Sequence, residues 1–170
     1  MNAAYFRQLS RYNAWANERL YAACAALSDE DRKRRRPSFF GSIHHTLNHI
    51  LVGNRLWLSR LDGKHHGVTS LDEELYTDFE ALREAADAED RRLVGIVAGY
   101  ADADIAGSLL YRPISESMRG ETRSIPMIQA LGHIFNHQTH HRGQVHCLLS
   151  DTETPPPPLD LVCFRWDEAT

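Results

Sequence analysis

Apolar side chains recur at spacings of three and four residues in four separate stretches of this 170-residue chain. That period commits most of the chain to helices with one face to bury. The first stretch, residues 3–27, carries Phe6, Leu9, Tyr12, Ala16, Leu20, Ala23 and Leu27 on one stripe. The second, residues 42–62, opens on Gly41-Ser42, with Ser42 as N-cap, and buries Ile43, Leu47, Ile50, Leu51, Leu58 and Leu61. A third is expected over 71–100, with Phe79, Leu82, Leu93, Ile96 and Val97 inward, and a fourth over 124–150, with proline tolerated in its first turn. Between the third and fourth, the period breaks. Leu109–Arg112 and Glu121–Ser124 flank Gly120 and read as a short hairpin. Pro155–Pro158 exclude a helix, so residues 155–170 read as an extended tail whose apolar part packs back on the body. The expectation is an all-α four-helix bundle, a single domain over residues 1–170.

Charge narrows the partners. Lys+Arg number 19 against 23 Asp+Glu, a net charge of −4, which gives no global field toward phosphate backbones. The local exception, Arg32–Arg36, has no interleaved aromatics and reads as a solvated interhelical stretch, so nucleic acid is not an expected partner. No apolar run reaches the ~18 residues of a membrane span, and the N-terminus lacks a signal-peptide layout. Cys24, Cys147 and Cys163 form no disulfide framework and no CxxC. A cytoplasmic location is expected.

Histidine is the outlier. All ten except His65 and His66 fall within 44–49 and 133–146. On a helix, His133, His137 and His141 stack at about 40° and ~6 Å steps along one face, so an i, i+4 pair can aim at one point. His140 is offset from this ladder. The second helix offers His44, His45 and His49. Of these, His49 lies within the apolar run Leu47–Leu51 and reads as inward-facing. A set of His49, His137 and His141 would leave coordination positions for water or substrate, as catalytic zinc sites do. Most HxxxH pairs bind nothing, but three apolar-face imidazoles on two helices need a metal or hydrogen-bond partners to offset desolvation. His65 and His66 sit in a polar loop and read as surface residues. Asn13 and Asn17, within the aromatic stretch Tyr12–Asn17, read as buried amides needing partners. There is no HExxH, ExxH, GxGxxG, phosphate loop or GxSxG in the sequence.

Three phrases carry a family resemblance: Tyr12-Asn13-Ala14-Trp15-Ala16-Asn17-Glu18-Arg19-Leu20, then Gly41-Ser42-Ile43 with Thr46–Leu51, then Asn136-His137-Gln138-Thr139-His140-His141-Arg142-Gly143-Gln144. In that order, they resemble the DinB family (DinB/YfiT-like metalloenzymes) over residues 5 to 150. The resemblance implies up-down-down-up connectivity, a homodimer and a divalent metal, zinc or nickel, on His49, His137 and His141. His45 and His133 are extra imidazoles near that set. Relatives in the wider superfamily are transferases and isomerases that use a low-molecular-weight thiol. A metal-dependent enzyme of that kind, acting on a small-molecule substrate, is therefore the first expectation. A non-catalytic stress protein with a structural metal is the alternative.

Overall fold

The computed structural model describes residues 1–65, 67–114 and 120–165. It is mostly helical, with one small sheet: α1 (Ala3–Ala25), α2 (Asp29–Lys33), α3 (Ile43–Asp62), α4 (Phe79–Ala98), α5 (Asp102–Ile105), β1 (Ser108–Tyr111), β2 (Arg123–Pro126) and α6 (Met127–Leu149). Side-chain oxygens of Asn2, Ser28, Ser42 and Asp78 cap α1 to α4, each accepting a backbone N–H three residues on. Gly63 ends α3 at φ 72°, a left-handed conformation that a side chain would strain. The two strands pair antiparallel, Leu109 opposite Ile125, where a hairpin was expected. No helix among the described residues is long and apolar enough to cross a membrane.

The four long helices each pack on two others: α1 on α4 and α6, and α3 on α4 and α6. Their buried faces form two apolar clusters. One gathers Leu20 and Tyr21 of α1, Ile43 to Leu51 of α3, Phe79 and Leu82 of α4, and Val145 to Leu149 of α6. The other gathers Phe6, Leu58, Leu93, Val97, Leu131 and Phe135. Along the chain, α1 and α6 pass from the second cluster to the first, while α3 and α4 pass from the first to the second. The helices therefore run up, down, down, up.

This direction explains a departure from the sequence expectation. The third long helix starts at Phe79, not at 71. Because α3 and α4 run the same way, their connection must return along the ~30 Å length of α3. Residues 63–70 alone, at about 3.3 Å each, fall short of that. Residues 71–78 stay non-helical and complete the return, and α3 anchors them. Val68 packs on Val52 and Leu56, the Leu71 carbonyl meets His49, and Asn48 bonds both the N–H and the C=O of Tyr76.

The basic run also departs from a purely solvated stretch. Ser28 starts a short helix there; Arg32 turns inward over the Phe79 ring, 4.2 Å from its centroid, and Arg36 is buried, donating to the Asp31 carbonyl. In the tail, the Leu159 carbonyl accepts from the Tyr12 hydroxyl, and Phe164 lies on Tyr12 and Trp15. The expectations for His66 and for the tail from Trp166 onward lie outside the described residues.

Candidate metal centre

His49 lies in the second turn of α3, facing the seam with α6 where His137 and His141 stand one turn apart. The three imidazoles converge. Ring centroids are 5.2 Å apart for His49 and His137, 4.5 Å for His49 and His141, and 4.4 Å for His137 and His141. One nitrogen from each lies within 4.8 Å of the other two. No other three His, Cys, Asp or Glu residues among those described meet that condition.

The surroundings orient two of the rings. Nδ1 of His49 is 2.9 Å from the Leu71 carbonyl oxygen, and Nδ1 of His141 is 2.8 Å from Oε1 of Gln144. Each oxygen can only accept, so each Nδ1 carries the proton and Nε2 keeps its lone pair. This is how metal-ligating histidines are commonly held. His137 makes no hydrogen bond among the described residues. Its place depends on Gly53, one turn beyond His49 on α3. A Cβ there would stand 2.6 Å from Cε1 of His137, so the glycine lets the ring approach the helix backbone. Phe40 closes one side, stacked on His49 at 4.1 Å between centroids.

Burial holds all three imidazoles below the ordinary histidine range. For His137, burial, with His141 and His49 adding repulsion against a second charge, lowers the value to about 3. For His49 and His141, the hydrogen bonds from Nδ1 oppose the effect in part. All three are neutral at pH 7, the form that ligates. Three neutral imidazoles, two of them with Nδ1 engaged and Nε2 free, could hold a divalent metal ion.

Three other histidines are employed elsewhere. His44 is fully buried, with Nε2 2.8 Å from the Tyr76 carbonyl, and tethers the return segment. His45 binds the Ser42 hydroxyl. His133 packs on Trp57 and is 5.8 Å from His137 between centroids, outside the convergent set. Three contributors were not singled out from sequence. Gly53 does carry a signal, a glycine inside a helical pattern with no turn to make. Phe40 and the carbonyl of Leu71 carry none, because each depends on how a connection folds back.

A second polar group fills the centre of the molecule. Asp90 of α4, 4% exposed, accepts from the side-chain amides of Asn13 and Asn17 on α1. The oxygens of those same amides accept from Arg142 of α6, 3% exposed. Gln138 continues the network to Asn54 of α3 and Asn17. These are the partners the buried amides were expected to need.

Comparison with known proteins places the chain in a family. The model described as DinB family matches residues 1–170. A relative from Bacillus subtilis (strain 168), Protein DinB, is 26% identical over 155 residues, covering 90% of this chain and 89% of that protein. The crystal structure of a DinB-like protein from Bacillus cereus ATCC 10987 superposes with a TM-score of 0.64 at 20% identity, covering 85% of this chain and 90% of that one, and supports the fold alone.

Proposed function

The chain belongs to the DinB family, and from that premise we propose that it is a metal-dependent enzyme whose ion is held by His49, His137 and His141. The observation that carries this reading is the convergence of three neutral imidazoles, two of them with Nδ1 engaged by oxygens and Nε2 free. A divalent ion on these residues would supply Lewis acidity, lowering the pKa of a bound thiol so that it reacts as thiolate. The class proposed is a transferase or isomerase using a low-molecular-weight thiol.

The chain supplies orientation and a place for substrate. Gln144 and the Leu71 carbonyl fix the planes of two rings, and Gly53 admits the third. Beside His49 lies a cavity of about 330 Å³, walled by Phe39, Phe40 and Asn48, with Asp72 and Glu73 opposite. Phe39 is 88% exposed, an apolar surface beside the histidines that a substrate's apolar part can cover.

His137→Ala should abolish most metal occupancy, while His65→Ala, in an exposed loop, should leave it unchanged, both read by elemental analysis of untagged protein. Reloaded wild type should then turn over a thiol with an electrophilic acceptor faster than stripped protein. Equal metal loss in both variants overturns the site. Retained metal without turnover in any thiol and acceptor pair, together with a melting temperature that drops on chelation, makes the ion a structural clamp between α3 and α6.

A further inference from the structure

Away from the histidines, between α1 and α4, lies a cleft of about 520 Å³ that the proposed chemistry does not use. Its lining is strongly acidic. Glu18 of α1 meets Glu80, Glu84, Asp87 and Asp90 of α4, against one lining cation, Arg83. Arg83 pairs with Glu80, and Asp87 is paired by Arg91 outside the cleft. Glu18 and Glu84, both exposed, have no cationic partner among the described residues.

The base carries the second, independent observation. Tyr21 lines the cleft, is 3% exposed, and its buried hydroxyl has no hydrogen-bond partner among the described residues. A buried hydroxyl left unpaired destabilises the fold, and a donor reaching that depth would remove the penalty. Asp90 lines the same cleft. Its carboxylate accepts from two amides, and two oxygens offer about four acceptor sites, so it retains capacity for a further donor.

We propose that this cleft is a binding site for a linear organic amine with two or more ammonium groups, one donating to Tyr21 and Asp90 at the base and another resting between Glu18 and Glu84 at the rim. A metal ion fits less well. No three carboxylates here bring oxygens within 4.8 Å of one another, unlike the nitrogens of the histidine set. The spread of negative charge over two helices suits cationic nitrogens separated by a chain. Trp15, whose ring already carries Arg19 at 5.0 Å, forms an apolar wall for that chain.

Titration calorimetry on the full metal-loaded chain at low ionic strength, with 1,4-diaminobutane and with spermidine, tests this. Both should bind, and affinity should fall with added salt. Glu84→Gln and Glu18→Gln, at exposed positions, should each weaken binding by up to about fivefold. Tyr21→Phe should weaken it too, while leaving the melting temperature of the unliganded protein unchanged or higher, because it removes a hydroxyl that bonds nothing. Lack of binding at millimolar amine overturns the proposal. So does unaltered affinity in the Tyr21→Phe/Glu84→Gln double variant, or tighter binding of magnesium than of either amine.

Discussion

Helix α6 carries two polar pairs one residue out of step. His137 and His141 face α3; Gln138 and Arg142, turned by about 100°, face the centre of the molecule. The inner pair belongs to a network closed among its own members but for one acceptor site on Asp90: Arg142 donates to the amide oxygens of Asn13 and Asn17, whose nitrogens donate to Asp90, and Gln138 bonds Asn54. The outer pair belongs to a cluster in which one nitrogen of each ring lies within 4.8 Å of the others. A closed polar network in a helical core fixes register and helix order. An open one, in which His49 and His141 have Nδ1 partners and bare Nε2 atoms while His137 bonds nothing, is arranged for a ligand. The network lies between the two apolar clusters, tying all four long helices at mid-height. The histidines join only two helices.

If that contrast holds, the inner group should dominate stability. Arg142→Met in metal-stripped protein at pH 8, where Asp90 is ionised, leaves a buried carboxylate without its cation and should cost about 3–5 kcal/mol in denaturant unfolding. The double variant Asp90→Leu/Arg142→Met should regain part of that loss, since both charges then leave together. A cost below ~1 kcal/mol for the single variant would mean that water reaches the network, and the distinction between closed and open would fail.

The outer group should respond in affinity instead. Gly53→Ala exchanges a helical glycine for the best helix former, worth up to ~1 kcal/mol of added stability. The same methyl collides with His137 and should weaken metal binding about tenfold, the lower end of what losing a supporting residue costs. Stability up and affinity down, read by unfolding of stripped protein and by competition with a chelator, sharpens the comparison. Unchanged affinity would show that His137 is not held by that close approach.

Much of this was legible before any coordinates. The period of Phe6 to Leu27 and of Ile43 to Leu61 gave two helices to within a few residues, because amphipathic spacing is a local property. The convergence of His49 with His137 and His141 was legible for a related reason: an i, i+4 pair shares a face, and an apolar neighbourhood turns His49 inward. The start of α4 was not. Residues 71–78 have helix-compatible composition, and what keeps them extended is the need to return along α3, a property of the whole topology. Arg142 was likewise only a neighbour of the histidines in sequence; its buried role depends on Asp90, on a helix whose packing against α1 no local pattern specifies.

Acid should distinguish the two clusters by sign, the smallest effect and the most diagnostic. In stripped protein, the imidazoles titrate below their ordinary 6.5, His137 at about 3. The unfolded chain takes up protons below pH 6.5 that the folded one refuses, so stability from these groups is whole above 6.5 and lost as pH falls toward 3. Asp90 behaves oppositely. Burial pushes its carboxyl from 3.8 up to about 7, against the pull of Asn17 and Arg142. The folded protein then binds a proton that the unfolded chain does not, and stability from this group rises as pH falls from about 7 to 3.8. Wild type should show the shallow sum. Asp90→Asn should steepen the acid loss by removing the rising contribution, and His137→Gln should flatten it by removing the falling one, both measured by denaturant unfolding from about pH 8 to about pH 4. An Asp90→Asn profile parallel to wild type would mean that the amides and Arg142 keep the carboxylate ionised across the whole window. The inner cluster would then be a permanent amide-bridged ion pair, and the opposition in sign between the two clusters would disappear.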